Sequence, residues 1–254
     1  MLVMIKIGFL GTGAGAPTLN RWASSILISI GSSNYILDCG EGCQLRLSML
    51  GVSPLKITAM FITHEHGDHV LGISPLIESM SHYGRKSSLS IVAPTSVANI
   101  IREVIMMTSR GTGFEIDYKT PEKGYEDSYV SVTGYRTCHS DESWGYRLNI
   151  RRKGLSICYT GDTGPCETIA EKCRGADILI HEATFTQENV EEAKVSMHST
   201  AYDAARLAQA IGAKYLYLTH ISSRYRDQNL ILREAQSIFR NTRIAEDLMV
   251  TYII

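Results

Sequence analysis

The stretch FITHEHGDHVLG, residues 61–72, decides how the chain is to be read. Behind an apolar run it sets three histidines, a glutamate and an aspartate within six residues. His64, His66, Asp68 and His69 form an H-x-H-x-D-H pattern. Imidazole nitrogen and carboxylate oxygen suit zinc and similar divalent ions. The spacing is not that of H-E-x-x-H, where a helix turns two histidines onto one face. In an extended segment His64 and His66 share a side, because residues i and i+2 do, and Asp68 and His69 follow around the Gly67 turn. A polar helix cap explains one such residue and not five. Four ligands so close together exceed a tetrahedral protein set that must also admit water. The pattern therefore implies two metals, with His64 and His66 on one and Asp68 and His69 on the other.

Each ion needs further ligands, and the chain offers them just after strand-like runs. His139 follows SVTGYRTC, Asp162 sits in YTGDTG after GLSICYTG, and His220 ends KYLYLTH. Residues at strand ends are held by the sheet yet remain accessible. The expected sets are His64, His66 and His139 for one ion and Asp68, His69 and His220 for the other. Asp162 would bridge them through its two oxygens. His82, after a helix and without companions, reads as a surface residue. Glu182, in ILIHEATF, and His198, in SMHSTAYDAA, read either as an oriented acid pair or as a capped turn beside a buried polar group.

The rest of the chain bounds these readings. It has 254 residues with 44% hydrophobic content, enough for a sizeable core. The 25 Lys and Arg against 26 Asp and Glu leave no basic excess of the kind a generic phosphate-backbone binder shows. Short strands at 5–11, 24–31 and 34–40 precede a helix at 41–51 and a buried strand at 56–63 that delivers His64. Helices and strands then alternate to a last strand near 247–253, which argues for helices covering sheets in one α/β unit over 1–254. The Gly-rich opening GFLGTGAGAPTLNRWASS lacks G-x-x-x-x-G-K-[ST] and a proper G-x-G-x-x-G, so it reads as a tight loop near the site rather than a nucleotide loop. Six cysteines without a close C-x-x-C pair read as reduced thiols of a cytoplasmic protein. No apolar run approaches the ~20 residues that cross a bilayer, and the N-terminal stretch has no signal-peptide pattern.

THEHGDH, residues 63–69, resembles the signature of the metallo-β-lactamase superfamily, whose fold is a four-layer αβ/βα sandwich with a dinuclear zinc site at one edge. LGTGAGAPTLNRWASSILI, LDCGEG, HSDESWGYRL, YTGDTGPC, ILIHEATF, HSTAYDAARLA and LTHISSRY are similar, in order, to the motifs of ribonuclease Z, the endonuclease that trims the 3′ side of precursor tRNA. The resemblance implies the two metal sets named above with Asp162 common to both. It also implies Asp68 at the attacking water, His198 as general acid with Glu182 as its partner, and Arg224, Ser222 and Ser223 near the substrate phosphate. Two divalent ions, Zn2+ with Mn2+ or Fe as alternatives, a precursor tRNA substrate and a homodimer follow from it too. So does the product pattern, a 3′-hydroxyl on the tRNA and a 5′-phosphate on the trailer.

The chain departs from the family pattern twice. Only 13 residues, 149–161, separate Leu148 from Asp162, where bacterial relatives carry a long tRNA-gripping arm. Gly164 stands in GDTGPC where arginine is usual. Neither touches a metal residue, but both leave room for a second reading, a phosphodiesterase of the same fold acting on small or cyclic diesters.

Overall fold

The computed structural model describes residues 4–108, 111–151 and 153–253. The first half of the chain builds β1 (Ile5–Gly11), β2 (Ser25–Ile30), β3 (Ser33–Cys39), β4 (Ile57–Phe61), β5 (Leu89–Val92) and β6 (Ile116–Lys119). The second builds β7 (Tyr125–Glu126), β8 (Val130–Arg136), β9 (Trp144–Ile150), β10 (Leu155–Tyr159), β11 (Ile178–Glu182), β12 (Tyr215–Thr219) and β13 (Thr242–Ile244). β14 (Val250–Ile253) returns to the first sheet, so the two seven-stranded sheets run β14-β1-β2-β3-β4-β5-β6 and β13-β12-β11-β10-β9-β8-β7. The helices are α1 (Cys43–Met49), α2 (Gly67–Val70), α3 (Ile73–His82), α4 (Thr95–Thr108), α5 (Glu167–Lys172), α6 (Val190–Val195), α7 (Ala201–Ile211) and α8 (Asn229–Gln236).

Alternation within the strands divides the apolar residues among three interfaces. Ile5, Ile7 and Phe9 of β1 and Trp144, Tyr146, Leu148 and Ile150 of β9 meet between the sheets. Leu27, Ile36 and Met60 point the other way, against Leu47 of α1, Leu76 and Met80 of α3 and Ile101 of α4. Leu179, Leu216 and Leu218 face Ala204, Ala205 and Ala208 of α7 and Ile231 of α8. The order is helix, sheet, sheet, helix: the four-layer sandwich that the resemblance implied. Each large apolar side chain moved from water into these interfaces contributes roughly 1.5–3 kcal/mol.

The pairing direction positions the functional edge. β3, β4 and β5 are mutually parallel, as are β10, β11, β12 and β13. Their C-terminal ends gather where open α/β sheets place ligand crevices. The β9–β10 connection is a tight hairpin turn, with Gly154 at φ 61° donating its N–H to Ile150 O at 3.1 Å, so no arm projects there. The capping expected after His198 is present: Thr200 accepts from Asp203 N, and the Asp203 carboxylate accepts from Thr200 N, opening α7.

One expectation is corrected. Cys138 and Cys166 are joined as a disulfide with Cα atoms 5.8 Å apart, whereas Cys39, Cys43, Cys158 and Cys173 are buried free thiols. The cause is tertiary. Gly164 N donates to Cys138 O at 2.8 Å and Cys138 N donates to Thr163 Oγ1 at 3.1 Å, so the loops after β8 and β10 lie side by side. A separation of 28 residues along the chain hides that pairing.

Candidate metal centre and active site

The ligand candidates arrive from both sheets. β4 runs out through Ile62 and Thr63 to His64, and the short α2 turns Asp68 and His69 inward. His139 follows β8, Asp162 follows β10, and His220 follows β12 in a left-handed conformation at φ 53°. Ligand atoms of His64, His66, His139 and Asp162 lie within 4.8 Å of one another, as do those of Asp68, His69 and His220. Asp162 Oδ2 stands centrally, 3.2 Å from His69 Nε2, 3.3 Å from His220 Nε2 and 3.6 Å from His64 Nε2. His139 Nε2 lies 3.9 Å from it and 3.2 Å from His66 Nδ1, and Asp68 Oδ2 is 3.2 Å from His220 Nε2.

Hydrogen bonds behind the cluster decide which nitrogen faces it. The His69 Nδ1–H donates to Asp38 Oδ2 at 2.7 Å, and the His139 Nδ1–H donates to Met197 O at 3.0 Å. The Thr63 hydroxyl donates to Asp38, leaving its lone pairs for the His64 Nδ1–H at 2.9 Å. The Thr184 hydroxyl donates to Glu182 Oε2 at 2.7 Å and likewise accepts from His220 Nδ1 at 2.9 Å. These four histidines thus turn Nε2 toward the centre, the arrangement that fixes a metal-binding tautomer.

The donor set fits a cation by a second test. His64 Nε2, His69 Nε2 and Asp162 Oδ1 are buried without a hydrogen-bond partner, a costly condition that bound cations would relieve. Burial pushes the His64 imidazole down to about 2, so it is neutral and ready to ligate. Burial alone would raise the Asp162 carboxyl, but His220 and His69 hold it well below the usual carboxylate range. For His69 burial is overcome by Asp162 and Asp38, which raise it well above an ordinary imidazole. A divalent ion replaces such a proton in the same electrostatic place. The cluster is suited to divalent metal.

His198 sits at the rim, its ring centroid 4.7 Å from that of His139 and 5.4 Å from that of His220. Its Nδ1–H donates to Glu182 Oε1 at 2.7 Å. Glu182 is wholly buried and also accepts from Thr163 N, Thr184 N and the Thr184 hydroxyl. Burial opposes charge on His198, but the buried carboxylate outweighs it and lifts the imidazole to about 9. Nε2 is left to face the cluster. Distance also groups His198 with Asp162 and His220.

The Gly-rich loop touches the site as expected: Gly15 N donates to Asp68 Oδ2 at 2.8 Å. Arg224 stays outside the cluster. Its Nη1 bonds Glu192 at 2.5 Å and its guanidinium lies 4.6 Å over the Phe185 ring, with Ser222 Oγ accepting from Nε at 3.2 Å and Ser223 exposed. Arg21 and Arg46 are internal, the first on Thr12, Ala245 O and Gln228 and the second on Leu10 O and Asp247. His82 is exposed at the end of α3. Asp38, Thr63, Thr184 and Tyr159 are the residues a sequence reading misses. Asp38 alone accepts from Thr63 N, Thr63 Oγ1, His69 and the Tyr159 hydroxyl at 2.7–2.9 Å, from a non-glycine position at φ 54°. Its one sequence signal is a carboxylate ending an apolar strand, in LDCGEG.

Fold and cluster together define a class, and residues 33–221 match the Beta-lactamase superfamily domain. A ribonuclease Z of Methanothermobacter thermautotrophicus is 34% identical over 97% of this chain and 96% of its own length. One of Sulfurisphaera tokodaii is 36% identical over 96% and 97%. The crystal structure of the short form of human tRNase Z superposes with a TM-score of 0.83, at 29% identity over 97% of this chain and 98% of that one. The chain belongs to the ribonuclease Z family. The first of these alignments runs over 295 positions, more than the 254 residues here, so that relative carries segments this chain lacks.

Proposed function

We propose that this protein is an endonuclease that removes the 3′ trailer of precursor tRNA, with His64, His66 and His139 holding one zinc ion, Asp68, His69 and His220 a second, and Asp162 both. The observation that carries the reading is the Glu182–His198 pair: a wholly buried carboxylate keeps an imidazolium beside the ligand cluster. A departing ribose oxygen leaves as an alcohol only if it gains a proton, and this pair can supply it.

Bound in these sets, two divalent ions would lower the pKa of a water and neutralise charge on the phosphate oxygens. The chain's own residues do the rest. Asp68, steadied by the Gly15 N–H, orients the attacking water. As the water oxygen bonds to phosphorus, the bond from phosphorus to the ribose 3′ oxygen breaks. His198 passes its proton to that oxygen, leaving a 3′-hydroxyl on the tRNA and a 5′-phosphate on the trailer. Glu182 balances the imidazolium before transfer, and Asp38 and Thr184 hold the ligand rings. Arg224, with Ser222 and Ser223, would swing from Glu192 to a substrate phosphate.

The proposal includes a homodimer in the cytoplasm. Leu71 and Ile100, which line one hollow, and Met106 and Met107 of α4 are exposed apolar side chains, a surface that a second copy would cover. The compact β9–β10 turn favours the second reading, a small-diester hydrolase. Cleavage of precursor tRNA, measured beside bis-p-nitrophenyl phosphate and cyclic nucleotides with zinc and with manganese, decides between them. Turnover of the small diesters with none of the tRNA overturns the first reading and keeps the chemistry.

A further inference from the structure

Three arginines that the metal centre does not use converge on one cleft. It has a volume of about 740 Å³ and is lined by Arg226, Arg240 and Arg243 together with Tyr215, Gln236 and Asn241. It opens along β13, the edge strand of the second sheet, where the chain crosses to β14 in the other sheet. β13 runs parallel to β12, with Leu216 opposite Thr242 and Leu218 opposite Ile244. Because β12 ends at His220, the Ile244 end of β13 is the end nearest the metal ligands. Arg226 follows His220 by six residues. Arg243 stands in mid-strand, and Arg240 precedes the strand at its far end. Arg243 and Arg240 therefore mark a track along β13 that leads away from its Ile244 end, with Arg226 on the same lining.

These guanidiniums are exposed, and among the described residues none has an ion pair or side-chain hydrogen bond. That sets them apart from Arg21, Arg46, Arg85, Arg147 and Arg224, all engaged by the protein itself. Of the acids on the lining, Asp227 is already bonded by Asn229 and Arg233, which leaves Glu246 to oppose three cations. Exposed arginines without a partner keep their planar forks free for phosphate. Tyr215, 49% exposed at the far end, offers a ring face. Cationic groups along a groove with an aromatic platform are what a sequence-tolerant single-strand site needs.

We propose that this cleft seats single-stranded RNA leading away from the cleavage point, its phosphates on Arg226, Arg243 and Arg240 and a base on Tyr215. It rests on the reading that the substrate is RNA and supplies the basic surface that the near-neutral net charge conceals. The test is fluorescence anisotropy of the metal-loaded protein with a labelled single-stranded RNA dodecamer, its integrity checked by gel, across a salt series. Each lost phosphate contact lowers the slope of log affinity against log salt by ~0.7 for a single strand. Arg240→Gln with Arg243→Gln should weaken binding about tenfold and flatten the slope by about 1.4. Tyr215→Ala should weaken it at least about fivefold with the slope unchanged. Unchanged affinity and slope in the arginine pair variant overturns the proposal. An equal effect from Lys56→Gln with Lys86→Gln, outside the cleft, overturns it too, as does competition by poly-glutamate equal to that by RNA. RNA held by the cleft in a protein that never cuts precursor tRNA would refute the proposed function and keep this inference. Cutting of precursor tRNA with cleft variants indistinguishable in RNA binding would do the reverse.

Discussion

Replacing Glu182 by glutamine tests the proton chemistry with little change of shape. The buried carboxylate accepts from Thr163 N, Thr184 N, the Thr184 hydroxyl and His198 Nδ1. An amide keeps one acceptor oxygen and loses the charge. His198, lifted to about 9 from an ordinary 6.5, should fall back by about 2 pH units. The sign is fixed: a raised imidazole contributes stability that is complete below about 6.5 and lost as pH rises through about 9. The shift corresponds to about 3 kcal/mol, the net of burial against the charges of Glu182 and Asp162. If His198 donates the proton, the alkaline limb of kcat for bis-p-nitrophenyl phosphate moves to lower pH by about 2 units. Activity at pH 7.5 then drops about fourfold, as the protonated fraction falls from nearly all to about a quarter. Bound cations displace the absolute values in both proteins alike, so the separation of the two profiles is the quantity to read. Metal content by plasma mass spectrometry should be unchanged, since Thr184 can still donate to the amide oxygen and hold His220. Superimposable profiles, or loss of metal without a displaced limb, would refute the assignment of the donor.

Other outcomes follow from the same geometry. His198→Ala should keep both metals and lose about 10²–10⁴ in turnover, whereas Asp162→Ala should lose metal and activity together; metal analysis beside diester hydrolysis separates the two. Asp38→Asn takes the carboxylate from behind His69 and Thr63 and should weaken metal affinity about 10–100-fold, read by competition with a chromophoric chelator. Phe61→Ala empties the aromatic cluster formed with Tyr35, Tyr125 and Tyr146 at centroid distances of 5.5–6.3 Å. It should cost about 3–5 kcal/mol in urea unfolding without altering ligand identity.

Four of the residues legible from sequence share one property: each follows a strand. His64, His139, Asp162 and His220 sit directly after β-rich runs, and a sheet edge fixes such positions whatever the loops do, so their convergence could be anticipated. Residues that act through hydrogen bonds leave no such mark. Asp38 meets His69 across 31 positions and Thr184 meets His220 across 36, and no local pattern announces either. The Cys138–Cys166 link was misread for the same reason, since the thiols meet only because the loops after β8 and β10 are neighbours. Arg226, Arg240 and Arg243 make no basic run along the chain; the parallel return of β13 beside β12 brings them to one cleft. Short elements such as β13 and α6 carry too few residues for a period to show.

The ligand sets have one consequence for how the protein comes into being. His64, His66, Asp68 and His69 hang from the first sheet, and His139, Asp162 and His220 from the second. During synthesis the early quartet emerges long before its partners, and it offers a passing ion an incomplete shell. Tight capture waits until position 220 has left the ribosome and the halves have closed on one another. On the proposed ligand sets, loading is a late act of maturation, and the ion supplied at that moment sets the composition of the finished protein.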